Sequence, residues 1–419
     1  MSGPQLGELG RVFIKESIPM SDGATLAIPR GFRASGVKAG LKASGTLDLA
    51  VLATDEPSAA AGTFTTNRVC AAPVKWCREQ LPSEEVRAVV INSGNANAAT
   101  GATGLENAAR TAAHAAALLG CRPEQVLVAS TGVIGHQLPM DRIEAGIEQA
   151  VAGLSPNAVG FQDAAAAIMT TDTRPKIVSF RQTNAGRAVT LLGLAKGAAM
   201  IGPRMATMLG FLLTDAPVWA NELQDILAAA VDRSFNCLSV EGHASTNDTV
   251  LLLSSTAGTE PILRGEELAA FAGMVRSACE TLACAIAADG EGSTHFITID
   301  VEGCSHFEDA RAIARAVADS PLVKTAIHGA DPNWGRIVSA AGYAGVSFRE
   351  EELSLSINDV PVYEDGMPVP FDAANLSQSI KSERDVHLRL MLRCGSAAVR
   401  FWTCDLTAEY IRLNADYTT

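Results

Sequence analysis

The chain predicts an α/β fold with helices packed over sheets. Strand-like and helix-like stretches alternate along its 419 residues, and the composition is 47% hydrophobic but only 5% aromatic, a balance dominated by aliphatic side chains. Asn/Gly clusters punctuate the alternation and mark where strands hand over to loops. Sheets covered by helices bury such patterns most economically. The length suits two or three ordinary domains or one large intertwined unit.

The elements follow in chain order. Ala88-Val-Val-Ile91 is a short buried strand ending in the loop Asn92–Asn97. Leu105 to Leu119 is Ala-rich, contains no proline, and is closed by Gly120, so it is a helix with a glycine stop. Val126-Leu-Val-Ala129 is a strand that delivers a Ser-Thr-Gly turn at 130–132. Leu268, Phe271, Val275, Ala278, Leu282 and Ile286 recur at helical spacing, giving an amphipathic helix that ends near Asp289-Gly290. Ile297, Ile299 and Val301 alternate as a strand does. So do Val386, Leu388, Leu390 and Leu392, which are expected to face Val399 and Phe401 across a hairpin at Gly395-Ser396. Ser254–Gly265 and Asp359–Asp372 have the composition of linkers.

A net charge of −13 argues against nucleic acid, whose phosphates need a basic face, and against anionic membrane surfaces. The first thirty residues carry charge and no apolar signal region, and no run approaches 18 apolar residues, so a cytoplasmic protein without a bilayer span is expected. Nine cysteines without C-x-x-C spacing suggest reduced, mostly buried thiols. The histidines are scattered. One H-x-E match, His306-Phe-Glu308, has no C-x-x-C to complete a zinc site. Chemistry without metal or cofactor is expected, which favours a hydroxyl nucleophile with its own base.

Such a hydroxyl stands in Lys196-Gly-Ala-Ala-Met-Ile-Gly-Pro-Arg-Met-Ala-Thr207-Met-Leu-Gly210. The Thr207 hydroxyl can attack the carbonyl of Ala206 through a five-membered ring. The resulting ester hydrolyses, and the new N-terminal threonine uses its α-amine as base. That amine has an ordinary pKa of about 7.7–8.0, already suited to proton transfer near neutrality. On local chemistry alone, a threonine among Met and Leu side chains is usually a half-buried packing residue.

The segment resembles the signature of the glutamate N-acetyltransferase (ornithine acetyltransferase) family. Similar blocks recur in order along nearly the whole chain: Gly31-Phe32, Phe64-Thr-Thr-Asn67, Asn92-Ser-Gly-Asn-Ala-Asn97, Ser130-Thr-Gly-Val-Ile-Gly135, Met169-Thr-Thr-Asp-Thr173, Ser245-Thr-Asn-Asp-Thr249, Asp289-Gly-Glu-Gly292, Asp331-Pro-Asn-Trp-Gly-Arg336 and Asn414-Ala-Asp-Tyr-Thr-Thr419. The resemblance implies an αββα sandwich of the self-processing, N-terminal-nucleophile-like type. It implies a cut between Ala206 and Thr207, leaving chains 1–206 and 207–419 intertwined in one unit, with two copies of each. It implies acetyl transfer from N2-acetyl-L-ornithine to L-glutamate through acetyl-Thr207, in arginine biosynthesis, with acetyl-CoA as a possible second donor.

The resemblance also assigns Thr131 and Gly132 to an oxyanion hole, and Thr170, Lys196, Thr207, Glu291, Asn414 and Thr419 to substrate binding. Charge agrees with those assignments. Lys196 suits an α-carboxylate, Glu291 suits an ammonium, and Gly290 and Gly292 let backbone approach closely. Lys324 and Arg336 are second-rank anion-binding candidates. Ala199, Arg204 and His295 depart from the family's frequent Gly, Asn and Lys. Two other readings remain open: an N-terminal-nucleophile aminopeptidase or amidase of the same fold, and a non-catalytic amino-acid-binding protein.

Overall fold

The structure is a computed structural model that describes residues 26–184, 187–202, 208–255 and 261–416. Ala206, Thr207, Arg204 and Thr419 lie outside the described residues.

Two sheets organise the chain. The first contains β1 (Phe32–Val37), β2 (Leu49–Phe64), β3 (Ser83–Asn95), β4 (Val126–Val133), β5 (Lys176–Asn184), β6 (Arg187–Lys196), β7 (Leu209–Thr214) and β8 (Thr249–Ser255). Their order is β4-β3-β2-β8-β7-β6-β5, with β1 on β2. The second contains β9 (Phe296–Cys304), β10 (Ser354–Ile357), β11 (Val360–Glu364), β12 (Met367–Pro368), β13 (Asp385–Met391) and β14 (Ala397–Cys404), in the order β12-β11-β10-β13-β9-β14. The helices are α1 (Ala72–Gln80), α2 (Gly101–Leu119), α3 (Met140–Ala152), α4 (Ala158–Ala167), α5 (Ala220–Asp232), α6 (Gly265–Ala287), α7 (Phe307–Ala318), α8 (Pro321–His328), α9 (Trp334–Gly342), α10 (Ala373–Ser382) and α11 (Ala408–Asp416).

The first sheet is not flat. The ends of β4 and β6 are five strand steps apart, about 24 Å at ordinary strand spacing. Yet the Lys196 ammonium at the end of β6 lies 3.1 Å from the Thr131 hydroxyl in β4. The sheet therefore folds over on itself, and the long strand β2 is where it turns. Residues 49–54 of β2 pair with β1, residues 58–64 pair with β8, and β3 runs along both stretches with its register shifting between them. Folding closes Ala50, Leu52, Val89, Ile91 and Leu127 of one half against Leu192, Leu194, Phe211, Leu213 and Leu253 of the other, in one core cluster.

Each outer face carries its own helices. Ala112 and Ala115 of α2 and Ile143 and Ile147 of α3 pack on Leu49, Val51 and Val90. Leu223 and Leu227 of α5 and Val275, Leu282 and Ile286 of α6 pack on Leu191, Leu212 and Leu252. The layers are αββα. Among the described residues α6 alone is long and apolar enough to cross a bilayer, although the sequence suggested no such stretch. Its apolar face is buried in this core instead.

Three sequence readings need correction. The predicted hairpin between residues 386–392 and 399–401 does not form, because β9 inserts between the strands. Phe401 pairs with Ile299 antiparallel, and Leu388 pairs with Ile299 in parallel. Asp359–Asp372 is not a linker but largely the β11–β12 hairpin. Residues 130–132 are not a turn, since β4 continues to Val133 beside the end of β3. The helix capped at Gly120, with φ 67°, is as expected.

Candidate active site

The ends of the folded strands surround a cavity of about 1030 Å³. Thr131, Gly132, Thr170, Lys196, Glu291 and Asn414 all line it, from segments far apart in sequence. Gly94 and Ala96 of the Asn/Gly cluster and Ala199 also reach its wall. Lys324 does not. It is buried, and its ammonium donates to the Thr403 hydroxyl at 2.9 Å and to the Cys404 carbonyl. Arg336 likewise donates to the Leu322 carbonyl at 2.9 Å, away from the cavity. His295 is buried against Asp405, with Nδ1 3.1 Å from Oδ2, and takes no part in the cavity wall.

Paired glycines shape the Thr131–Gly132 end. Gly132 has φ 126°, and a Cβ there would sit 2.4 Å from the Gly94 carbonyl carbon on β3. Only glycine tolerates both demands. Asn247, just before β8, fastens this end by donating to the Ala96 carbonyl at 2.6 Å and the Ser130 carbonyl at 2.8 Å. Thr131 is buried and its oxygen accepts from Lys196. That contact leaves the hydroxyl proton available to another acceptor.

A buried charge network holds three cavity segments together. Lys176 donates to Asp172 and to Asp289, each at 2.6 Å. Asp172 also accepts from the Gly197 N–H at 2.6 Å and the Thr170 N–H at 3.0 Å. Burial pushes its carboxyl up, but Lys196, Lys176 and the Gly197 N–H outweigh burial and hold it at about 2. Burial lowers the Lys196 ammonium, with Asp172 opposing that shift and Lys176 adding to it. Asp289 begins the turn that carries Glu291, whose N–H donates to the Ala198 carbonyl at 3.0 Å. Gly292, at φ 66°, lies where a Cβ would sit 2.6 Å from the Tyr410 nitrogen. The glycine thus admits α11, and Asn414 on that helix donates to Glu291 at 3.0 Å.

The segment after β6 leads out of the cavity and returns as β7. Lys196 and Leu209 are cross-strand partners, so the end of β6 and the start of β7 adjoin. The start of β7 is fixed by Asp248, which is fully buried and accepts from the Met208 N–H at 3.1 Å. Burial raises the Asp248 carboxyl well above the ordinary range, with the Met208 N–H and Lys196 opposing.

Sequence reasoning did not single out Lys42, Lys176, Asn247, Asp248 or the carboxylate of Asp172. Asn247 and Asp248 stand inside the Ser245–Thr249 block and Asp172 inside the Met169–Thr173 block, so position within those motifs was the available signal. Lys42, in a Lys/Ala/Gly stretch, looks like any solvated lysine.

An αββα sandwich whose folded sheet surrounds a cavity lined by lysines, carboxylates and hydroxyls defines an α/β protein with a polar, charged cavity suited to a small molecule. Comparison with known proteins makes the assignment specific. The model of the ArgJ family matches residues 33–419. A relative from Rhodopirellula baltica, named arginine biosynthesis bifunctional protein ArgJ, is 45% identical over 408 residues, covering 96% of this chain and 100% of that one. Another of the same name, from Symbiobacterium thermophilum, is 47% identical over 395 residues, covering 93% and 98%. A solved chain of the Bacillus halodurans protein of that name is 36% identical, covering 49% of this chain and 98% of its own, with a TM-score of 0.48. The chain belongs to the ArgJ family.

Proposed function

We propose that the chain cuts itself between Ala206 and Thr207 into chains 1–206 and 207–419. Thr207 then carries acetyl from N2-acetyl-L-ornithine to L-glutamate, a transfer in arginine biosynthesis. One observation carries the reading: Thr131, Gly132, Thr170, Lys196, Glu291 and Asn414 meet in a single cavity, and β6 and β7, the strands that flank Thr207 in sequence, pair at Lys196 and Leu209 beside it. The family's bifunctional relatives support it.

In the first half-reaction the Thr207 hydroxyl attacks the acetyl carbonyl while its α-amine takes the hydroxyl proton. The oxyanion is met by the Thr131 hydroxyl and the Gly132 N–H, donors of a kind worth about 10²–10³ in rate each. Collapse breaks the amide bond and returns the proton to the leaving amine of ornithine. The acetyl ester remains on Thr207. In the second half-reaction the glutamate α-amine attacks that ester and the steps reverse. Lys196 holds the α-carboxylate of either amino acid, Glu291 with Asn414 orients charge on the substrate amine, and Thr170 adds a hydroxyl. Thr419 is the remaining substrate-binding residue that the family resemblance assigns. The working assembly is a cytoplasmic pair of two-chain units.

Denaturing mass spectrometry of the wild type beside Thr207→Ala tests the proposal. Two fragments are expected from the wild type, the second beginning at Thr207, and one intact chain from the variant. N2-acetylornithine should then add one acetyl group to the second fragment. A wild-type chain that stays uncut for days would refute the mechanism. Release of acetate at full rate without glutamate would move the reaction to hydrolysis.

A further inference from the structure

The cavity holds more positive charge than the α-amino-acid end of a substrate requires. Lys196 answers the α-carboxylate, but Lys42 lines the same cavity and has no part in the chemistry described above. We infer that Lys42 receives the side-chain carboxylate of the acyl acceptor and so selects a dicarboxylic amino acid in the second half-reaction. The inference rests on the acetyl-transfer reading.

Lys42 stands on a built wall. Asp48 is fully buried and accepts three backbone N–H groups from its own loop, Ala39 and Leu41 at 2.6 Å and Lys42 at 3.0 Å. A carboxylate committed in this way fixes the loop's shape. Arg142 adds a bond to the Gly40 carbonyl at 2.5 Å. Gly94 lets the loop close on β3, since a Cβ there would lie 3.2 Å from both the Leu41 carbonyl oxygen and the Lys42 stem. The Lys42 ammonium donates to the Leu47 carbonyl at 2.8 Å and the Ala167 carbonyl at 3.4 Å. An ammonium has three donors, so one remains for a ligand.

The charge of Lys42 is also adjustable. Burial lowers it to about 8, with Asp48 and Asp172 pushing up and Lys196 pushing down. The two substrates demand this flexibility, because glutamate brings a carboxylate at its side-chain end and N2-acetylornithine brings an ammonium. A lysine that yields its proton at small cost serves the first without excluding the second. A permanent cation would not.

The test compares L-glutamate with L-glutamine, its neutral isostere, as acceptors from acetyl-enzyme. Wild type is expected to favour glutamate by at least roughly tenfold in kcat/KM, about 1.4 kcal/mol. Lys42→Met should bring that ratio toward one. Lys42→Arg should keep the ratio but raise KM for N2-acetylornithine, because a guanidinium stays charged. A glutamate/glutamine ratio unchanged in Lys42→Met, or an Arg variant that leaves both KM values untouched, would overturn the assignment. The wild-type acetyl adduct separates the two levels. If it forms and the ratio ignores Lys42, only this inference fails; if it never forms, the acetyl-transfer reading fails as well.

Discussion

Paired charge braces both sheets, since Lys176 closes on Asp172 and Asp289 beside the first, but the first sheet also turns charge toward a cavity. In the second sheet, charges close on one another across neighbouring strands. Asp300 on β9 takes Arg400 of β14 through two bonds of 2.8 Å and His387 of β13 at 2.9 Å, and Glu302 takes Arg389 at 2.9 Å. Burial raises the Asp300 carboxyl, but Arg400 and His387 outweigh it and hold the group at about 2. In the first sheet, strand ends aim Lys196 and Thr131 at open space, with Glu291 and Lys42 on the loops around them. Charges that satisfy each other brace a fold, while charges that face a cavity wait for a ligand.

Substitutions that cross this divide sharpen it. Lys196→Met should cost the most activity, on the order of 10³ in kcat/KM, while the protein still folds, as steady-state kinetics beside circular dichroism would read. Intact activity would return Lys196 to a structural role beside Asp172. Asp300→Ala should do the reverse, removing roughly 1–2 kcal/mol of stability, since Arg400 and His387 lose their partner but are exposed enough to regain water. The specific activity of the folded fraction should hold, and denaturant melts with active-site titration would check both halves.

A smaller effect belongs to Glu241, between the sheets' territories. Its carboxylate accepts from the Ile201 N–H, and burial raises it to about 8, against the opposing Ile201 N–H and Lys324. A folded pKa above the unfolded value means the fold keeps a proton that the unfolded chain gives up. This part of stability is full below about 4.5 and is lost as pH rises toward 8. Glu241→Gln should therefore flatten the fall in Tm between pH 5 and 8, by about 2–4 °C. Parallel Tm curves for variant and wild type would refute the protonated state.

The sequence announces elements better than neighbours. The helical spacing from Leu268 to Ile286 marks α6, and Gly120 marks the end of α2, because period and caps are local. Alternation at 386–392 and 399–401 marks two strands correctly but cannot say that β9 lies between them. Thr131 and Gly132 look like a turn because the apolar run stops at Ala129, yet backbone pairing with β3 needs no apolar side chain. The same limit governs the site. Thr131, Gly132, Thr170, Lys196, Glu291 and Asn414, all inside recognisable blocks, are brought to one cavity, although Arg336 of another block is not. Lys42, by contrast, enters only because Asp48 and Gly94 fold its loop inward.

The pairing of β6 with β7 has a consequence for how the molecule could be assembled and taken apart. Six successive pairs from Leu191↔Thr214 to Lys196↔Leu209 join the two strands in one ladder. A break between Lys196 and Leu209 would leave the two strands paired side by side, with the core between the halves of the first sheet still shared by both pieces. Such a nick would scarcely register in the native state, even at high dilution. It would register in refolding. An unbroken chain finds its partner strands by closing a short loop, whereas severed pieces must first meet, so recovery would become concentration-dependent. Continuity of the backbone would then be a provision for the first folding only.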